Sequence, residues 1–524
     1  MMKSTLFRYT SLALLAALLL SGRAPQAEPP NIIFILTDDH AQQAISAYGS
    51  TLIQTPNIDR LAREGAIFEN SFVTNSICAP SRAVFLTGKY SHLNSVRDNR
   101  DTFDGSQLTF PKLLQQAGYY TSIVGKWHLK SLPTGFDYWN VLIGQGDYYN
   151  PTMINMGDTI RYEGYTTELI TDLALEQLQN RPKGKPFCML YQHKAPHRNF
   201  MPGPKQLGLF EKDTFPLPST FFDDYAGRPA AEAADMRIAD MYMGFDMKLM
   251  PEDYQGYQQG TGGKATFDQA GSWQAAYEAL TPEQRKAWQQ HYGPIRKEFI
   301  QTHPEGKALA TWKFQRYLRD YLGSVAAVDD QIGRILQYLD ENGLADNTIV
   351  VYSSDQGFYL GEHGWYDKRF MYEPSLRTPL IIRYPKKIKP GRSVSQMVLN
   401  LDMAPTLLDF AGLVIPEDIQ GASMKPLLTR KKAKNWRDAI YYHYYEYPHG
   451  WHDVHTHYGV RTERYKLIHF YGALDHWELY DLAEDRDELH NLYGAPAYAT
   501  IQKELMGKLT ALQQQYKDPI SNGN

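Results

Sequence analysis

The sequence predicts an α/β fold, a large sheet sandwiched by helices, followed by a smaller C-terminal antiparallel-sheet subdomain. Three observations carry this. Apolar runs of strand length recur along the chain, segments of helical periodicity separate them, and beyond Lys434 the runs turn aromatic and partly alternating.

The first run, Asn31–Thr37 (NIIFILT), is apolar without interruption, as a parallel strand covered on both faces requires. The pattern returns in Tyr119–Val124, Phe187–Tyr191 and Thr348–Ser353. Between them, Pro56–Gly65, Ser81–Thr87, Leu108–Ala117, Glu168–Gln179 and Phe314–Asn342 repeat their apolar residues at helical spacing. Such alternation describes an open sheet with helices on both faces. Residues 201–313 break the rhythm, being rich in Tyr, Gln, Gly and Met, with helical pieces expected at Ala230–Tyr242 and Pro282–Ile300. They read as an insertion over the sheet's carboxyl edge that shapes a pocket, and equally as a solvated helical excursion. AIYYHYYEY, HYGVRTERYKLIHFY and WELYDL then predict a small antiparallel sheet, and Ala497–Tyr516 a terminal amphipathic helix. The expected division is a signal peptide over 1–27, a large N-terminal domain over 28–433 with the insertion at 201–313, and an α+β subdomain over 434–524.

At 524 residues and 43% apolar content, the chain exceeds one ordinary domain. A net charge of −4 without runs of one sign argues against nucleic acid or an anionic membrane surface as partner. Lys3 and Arg8 precede an apolar stretch, Leu12–Leu20, and small residues follow it. This is the pattern of a signal peptide cut within Ser21–Glu28, so an exported protein, periplasmic or secreted, is expected. A buried apolar helix is the alternative, and no other stretch is apolar enough to span a bilayer. Two cysteines make no disulfide framework. Cys188 reads as a small core residue, whereas Cys78 sits in a polar loop with no packing role evident.

Ligands in open α/β folds collect beyond the carboxyl ends of the strands. There the sequence has Asp38, Asp39 and His40; Lys126, Trp127 and His128; His193, Lys194 and His197; and Asp355 with Gln356. Three carboxylates and an amide are hard oxygen donors, which favours Ca2+, with Mg2+ second. Asp38-Asp39 alone reads better as a solvated turn; paired with the Asp355-Gln356 strand end, the metal reading becomes the better one. In Ser76–Gly88 (SICAPSRAVFLTG), Pro80 suits the first turn of a helix, placing Cys78 at its positive end and Arg82 one turn on. An unmodified thiol there would be a candidate nucleophile.

The run Cys78-Ala79-Pro80-Ser81-Arg82 with Leu86-Thr87-Gly88 resembles the signature of the formylglycine-dependent sulfatases, of the alkaline-phosphatase superfamily. The resemblance extends through TDDH, TPNIDRLAREG, GKWHL, HKAPH, SSDQG and ERYKLI…WELYDL. It implies that a maturation enzyme converts Cys78 to formylglycine, the nucleophile, and that Arg82 steadies its hydrate. It further implies that Asp38, Asp39, Asp355, Gln356 and residue 78 hold Ca2+, while Lys126, His128, His197 and Lys368 bind sulfate and move protons. Gln356 departs from the Asn of many relatives. In this scheme Asp355 is a candidate base for the attacking hydroxyl, His197 with Lys368 serves the leaving alcohol, and His128 acts on the second hydroxyl.

QHKAPHRNFMP and the segment around LGEHGWYDKRF resemble bacterial carbohydrate sulfatases of the N-acetylglucosamine-6-sulfatase type. A sulfated carbohydrate is the expected partner, with algal polysaccharide sulfates, or phosphonate and phosphodiester substrates, as alternatives. His363 and Asp367 are the candidate sugar contacts, then Trp365, Trp451, His452, His455 and His457, each of which would also serve loop packing.

Overall fold

The computed structural model describes residues 28–257, 269–430 and 435–522; the expected signal peptide lies outside the described residues. The strands are β1 (Asn31–Thr37), β2 (Ala66–Phe68), β3 (Ser71–Phe72), β4 (Tyr120–Gly125), β5 (Tyr138–Leu142), β6 (Thr152–Asn155), β7 (Asp158–Arg161) and β8 (Phe187–Gln192). They continue with β9 (Thr348–Ser354), β10 (Leu380–Arg383), β11 (Arg392–Val394), β12 (Val398–Leu399), β13 (Ala439–Tyr444), β14 (His457–Thr462), β15 (Tyr465–Phe470) and β16 (His476–Asp481). Among the described residues, ten of them form one sheet in the order β11-β2-β10-β9-β1-β8-β4-β5-β6-β7.

Its centre, β9 to β5, is parallel. β10, β6 and β7 run antiparallel to their neighbours and make the sheet mixed. The four long apolar runs are four of the five central strands. The outer strands are short, and β7 (DTIR) is largely exposed, so they leave no apolar run to read.

Successive side chains of β1 enter two different cores. Ile32, Phe34 and Leu36 join one with Phe85, Leu114 and Leu407; Ile33 and Ile35 join the other with Ile170, Ile332 and Leu339. Each fully buried side chain of this kind contributes about 1.5–3 kcal/mol, which holds the strand between two helical layers. The first core takes helices α1 (Cys78–Thr87), α2 (Phe110–Gln116) and α3 (Met403–Phe410); the second takes α4 (Thr166–Asn180) and the long α5 (Gly306–Glu341).

Two expectations change. The helix expected from Phe314 begins at Gly306 and runs unbroken through position 313. The helix expected over Ala230–Tyr242 is only a short turn, Pro229–Ala233, and a 3-10 turn, Ile238–Asp240. Between those turns the backbone bonds outward: Asp235 N donates to His452 O at 2.9 Å, and Met236 O accepts from Tyr366 N at 3.0 Å. These tertiary bonds replace helical ones. The other helix expected there forms as α6 (Pro282–Thr302), preceded by α7 (Gln269–Glu278). β13 to β16 form the C-terminal antiparallel sheet, against which α8 (Ala499–Gln515) sets Leu505 and Leu509.

Gly125 ends β4 with φ +106°, and a Cβ there would stand 1.8 Å from Gln192 O. Only glycine lets the chain turn here while Lys126 N donates to that same oxygen at 2.8 Å. Gly125→Ala is therefore expected to lower stability by about 2–4 kcal/mol in urea unfolding. An unchanged midpoint would contradict this account of the turn.

Candidate active site

The parallel register sets Thr37 opposite Ser354, so Asp38 and Asp39 leave β1 beside Asp355 and Gln356 leaving β9. Asp39 N donates to Asp355 Oδ1 at 3.2 Å. One oxygen each from Asp38, Asp39 and Asp355 lie within 4.8 Å of one another, and all three residues are buried. Each carboxylate has its own cation. Lys126 meets Asp38, Lys368 Nζ donates to Asp39 at 2.6 and 2.8 Å, and Arg82 Nε donates to Asp355 at 3.0 Å. Burial still lifts the Asp39 carboxyl to about 7, with Lys368 opposing and Asp355 and Asp367 adding.

These residues fit a hard divalent cation. Three carboxylates converge, and Gln356 Oε1 is buried with no hydrogen-bond partner while its Nε2 donates to Asp39. A half-turn of the amide would present that oxygen to the carboxylate cluster.

Cys78 opens α1, with Sγ 3.3 Å from Asp38 Oδ1 and 4.0 Å from Gln356 Nε2. Burial pushes its thiol up to about 12, against Lys368 and together with Asp355 and Asp39. Ala79 N donates to Asn99 Oδ1 at 3.1 Å, and the Ser81 hydroxyl donates to Asp355 O. Arg82 extends its guanidinium along the strand ends, with Nε on Asp355. Its Nη1 donates to Lys126 O and Gln192 Oε1, both at 2.9 Å, so it ties three strand ends together.

His197 Nδ1 hydrogen-bonds Arg198 O at 2.6 Å, leaving Nε2 3.8 Å from Asp39 Oδ2 and beside Cys78. Burial and the charges of Lys126, Lys368 and Lys194 hold this imidazole well below the usual histidine range. His128 is depressed likewise by burial, Lys126 and Arg82, and its Nδ1 is buried without a partner. His193 has neither ring nitrogen bonded and packs against Tyr191, in line with a packing role.

Above Cys78 opens a cavity of about 780 Å3, lined among others by Gln145, Lys194, His197, Asp367, Lys368, Trp451 and His452. Asp367 belongs to this wall, held by Arg369 at 3.0 Å and His452 at 3.3 Å. His363 does not. It is 2% exposed, its Nδ1 pairs with Asp223 at 2.7 Å, and its amide donates to Thr220 at 2.9 Å, so it braces a loop. Trp365 is fully buried between Tyr225 and Phe370, and His457 accepts from Met371 N inside the C-terminal core. His455 stacks on Tyr447 and does not line the cavity. The expectation of sugar contacts from these four is corrected: their polarity serves packing.

The sequence reading missed Gln145, which accepts from Lys126 Nζ at 2.5 Å, and Asn99. Both lie in loops without periodicity. Gln192 ends an apolar strand and was legible by that rule.

Residues 30–413 match the family model described as Sulfatase, and residues 361–515 match N-sulphoglucosamine sulphohydrolase, C-terminal. The chain belongs to the sulfatase family. This sulfatase is 52% identical to an N-acetylglucosamine-6-O-sulfatase of Bacteroides thetaiotaomicron, over 97% of this chain and 91% of the relative. It is 26% identical to an ulvan-active sulfatase of Formosa agariphila over 92% of this chain and 81% of the relative. A solved structure in complex with its substrate D-glucosamine-2-N,6-O-disulfate aligns with TM-score 0.89 and 51% identity, over 94% of this chain and 99% of that one. The phosphonate monoester hydrolase of Agrobacterium radiobacter shares the fold, at TM-score 0.70 and 21% identity over 93% and 96% of the two chains.

Adding Ca2+ or Mg2+ to metal-stripped sulfatase is expected to raise its unfolding free energy, by about 2.7 kcal/mol at a hundredfold excess over Kd. Asp39→Ala should remove most of that gain. Thermal unfolding that ignores both ions would refute the metal reading.

Proposed function

We propose that this sulfatase is an exported, exo-acting carbohydrate sulfatase that removes the 6-sulfate of N-acetylglucosamine in host glycans, using Ca2+ and a formylglycine made from Cys78. The observation that carries the substrate is the 52% identity to an N-acetylglucosamine-6-O-sulfatase across nearly both whole chains. A cavity of about 780 Å3 over Cys78 suits a terminal sugar or disaccharide, which supports exo action.

Asp38, Asp39, Asp355 and Gln356 would hold the cation, whose charge would oppose that of the sulfuryl oxygens. A hydrated formylglycine at 78 would supply one hydroxyl to attack sulfur and a second whose deprotonation ends the cycle, which no serine or cysteine side chain offers. Two carboxylates are at hand for the first proton, Asp38 beside Sγ and Asp355 anchored by Arg82. His128 would serve the second hydroxyl, a role supported by its Nδ1 being buried without a partner.

His197 donates through Nδ1 to Arg198 O, so Nε2 is the nitrogen that faces the leaving group. Three lysines repel a proton from it in the resting site. An arriving monoanion offsets that repulsion and lets Nε2 carry the proton to the departing sugar oxygen. Asp367 and His452 form the wall where sugar hydroxyls would lie.

The substrate test is a panel of mono-sulfated sugars, with ulvan fragments and a phosphodiester beside them, on protein co-expressed with a maturation enzyme. N-acetylglucosamine 6-sulfate should be preferred; preference for ulvan or the diester would overturn the reading. Mass spectrometry of the Ser76–Arg82 region should find an aldehyde at 78, and Cys78→Ala should fold yet be inactive. A fully active protein with an intact thiol would exclude formylglycine. His197→Ala should slow sugar sulfates about 100-fold or more and activated aryl sulfates far less, because only a basic leaving oxygen needs a proton. Equal losses on both would assign His197 to sulfate binding instead.

A further inference from the structure

Six lysines are buried among the described residues: Lys126, Lys194, Lys248, Lys313, Lys368 and Lys466. Five donate to oxygen. Lys126 and Lys368 meet carboxylates, Lys248 and Lys313 each donate to two backbone carbonyls, and Lys466 donates to Met371 O and Glu488. Lys194, 4% exposed, has neither a carboxylate nor a carbonyl; its Nζ lies 4.9 Å from the centre of the Tyr148 ring. It lines the same cavity as Cys78, His197 and Lys368.

The charges at the floor of that cavity otherwise cancel in pairs: Lys126 with Asp38, Lys368 with Asp39, and Arg82 with Asp355. Lys194 stands outside these pairs, with Asp147, of the same cavity lining, the largest opposing charge that acts on it. A buried, unpaired ammonium is costly, and an aromatic face offsets only part of that cost. Its position is compatible with one further partner, an anion entering the cavity. The sulfate ester this family hydrolyses is an anion, which a buried ammonium lining the cavity would attract.

We propose that Lys194 is a further catalytic residue, whose Nζ contacts the reacting sulfate of the bound ester and attracts it by charge. Burial draws the ammonium down to about 8, while Asp147, Asp39 and Cys78 act to keep it charged. Its charge in turn acts on Lys126, His128 and His197, which places it in the field of the proton-moving groups.

Titration of inorganic sulfate into the calcium-loaded protein tests this, with wild type compared against Lys194→Met and Lys194→Arg. Sulfate binding should weaken roughly 20-fold in the Met variant, the effect of one charge-assisted hydrogen bond, and recover largely in the Arg variant. kcat/KM on an aryl sulfate should fall about 100-fold in the Met variant. Its unfolding temperature without sulfate should equal or exceed that of wild type, since an unpaired buried charge is gone. Unchanged sulfate affinity in the Met variant overturns the proposal, as does a wild type that takes up no sulfate. A Met variant that fails to fold overturns it too, by making Lys194 a structural residue on Tyr148. The proposal rests on the sulfate-ester chemistry of the family, and sulfate binding is read without any sugar. A failed N-acetylglucosamine assignment would therefore be distinguishable from a failure here.

Discussion

The site depends on one constraint: two adjacent parallel strands, β1 and β9, deliver three carboxylates to the same buried place. Like charges in low dielectric are tolerated only if each is compensated. The compensation comes from three other segments, namely Lys126 after β4, Arg82 on α1 and Lys368 after β9. Removing one partner of such a buried pair costs about 3–5 kcal/mol, so the pairs also fix where those segments sit. Cys78 inherits its position from this. Arg82 and Ser81 both bind Asp355, and that anchors the first turn of α1 against the strand ends.

The same burial acts oppositely on the two kinds of group. It lifts Asp39 toward neutrality and keeps His128 and His197 unprotonated. A divalent cation suits the carboxylates, and an anion suits the lysines and imidazoles. Under the proposed mechanism the site would take a cation and a sulfate monoanion together, and His197 would gain its proton as the anion arrives. Such a coupling would tie proton transfer to the presence of substrate.

The floor and the walls of the cavity come from different parts of the molecule. Strand ends and α1 supply the reacting floor, while the walls come from Ser272, Ala275 and Ala276 of α7 on the insertion and from Glu446, Trp451 and His452 of the C-terminal subdomain. Loops and insertions on a rigid sheet can vary without disturbing the floor. The insertion is thus a wall of the cavity and more than a solvated excursion. Its packing explains why Ala230–Tyr242 gave up a helix: the backbone there bonds to Tyr366 and to His452, the second of which borders the same cavity.

By itself the sequence determined the fold class, the central parallel strands and the polar residues at their ends, because strands buried on both faces must be continuously apolar and must stop where polarity begins. The signature around Cys78 carried the family. The short edge strands β6 and β7 were illegible, since they are partly exposed and bury too little to impose a pattern. Tertiary structure alone decided which polar residues share a space. His363 and Asp367 stand four residues apart, yet one braces Asp223 away from the cavity over Cys78 and the other faces that cavity. Lys194 followed its strand like any other polar residue, and only three-dimensional pairing left it without a partner. Charge compensation is a property of contacts between distant segments, and no local pattern of residues records it.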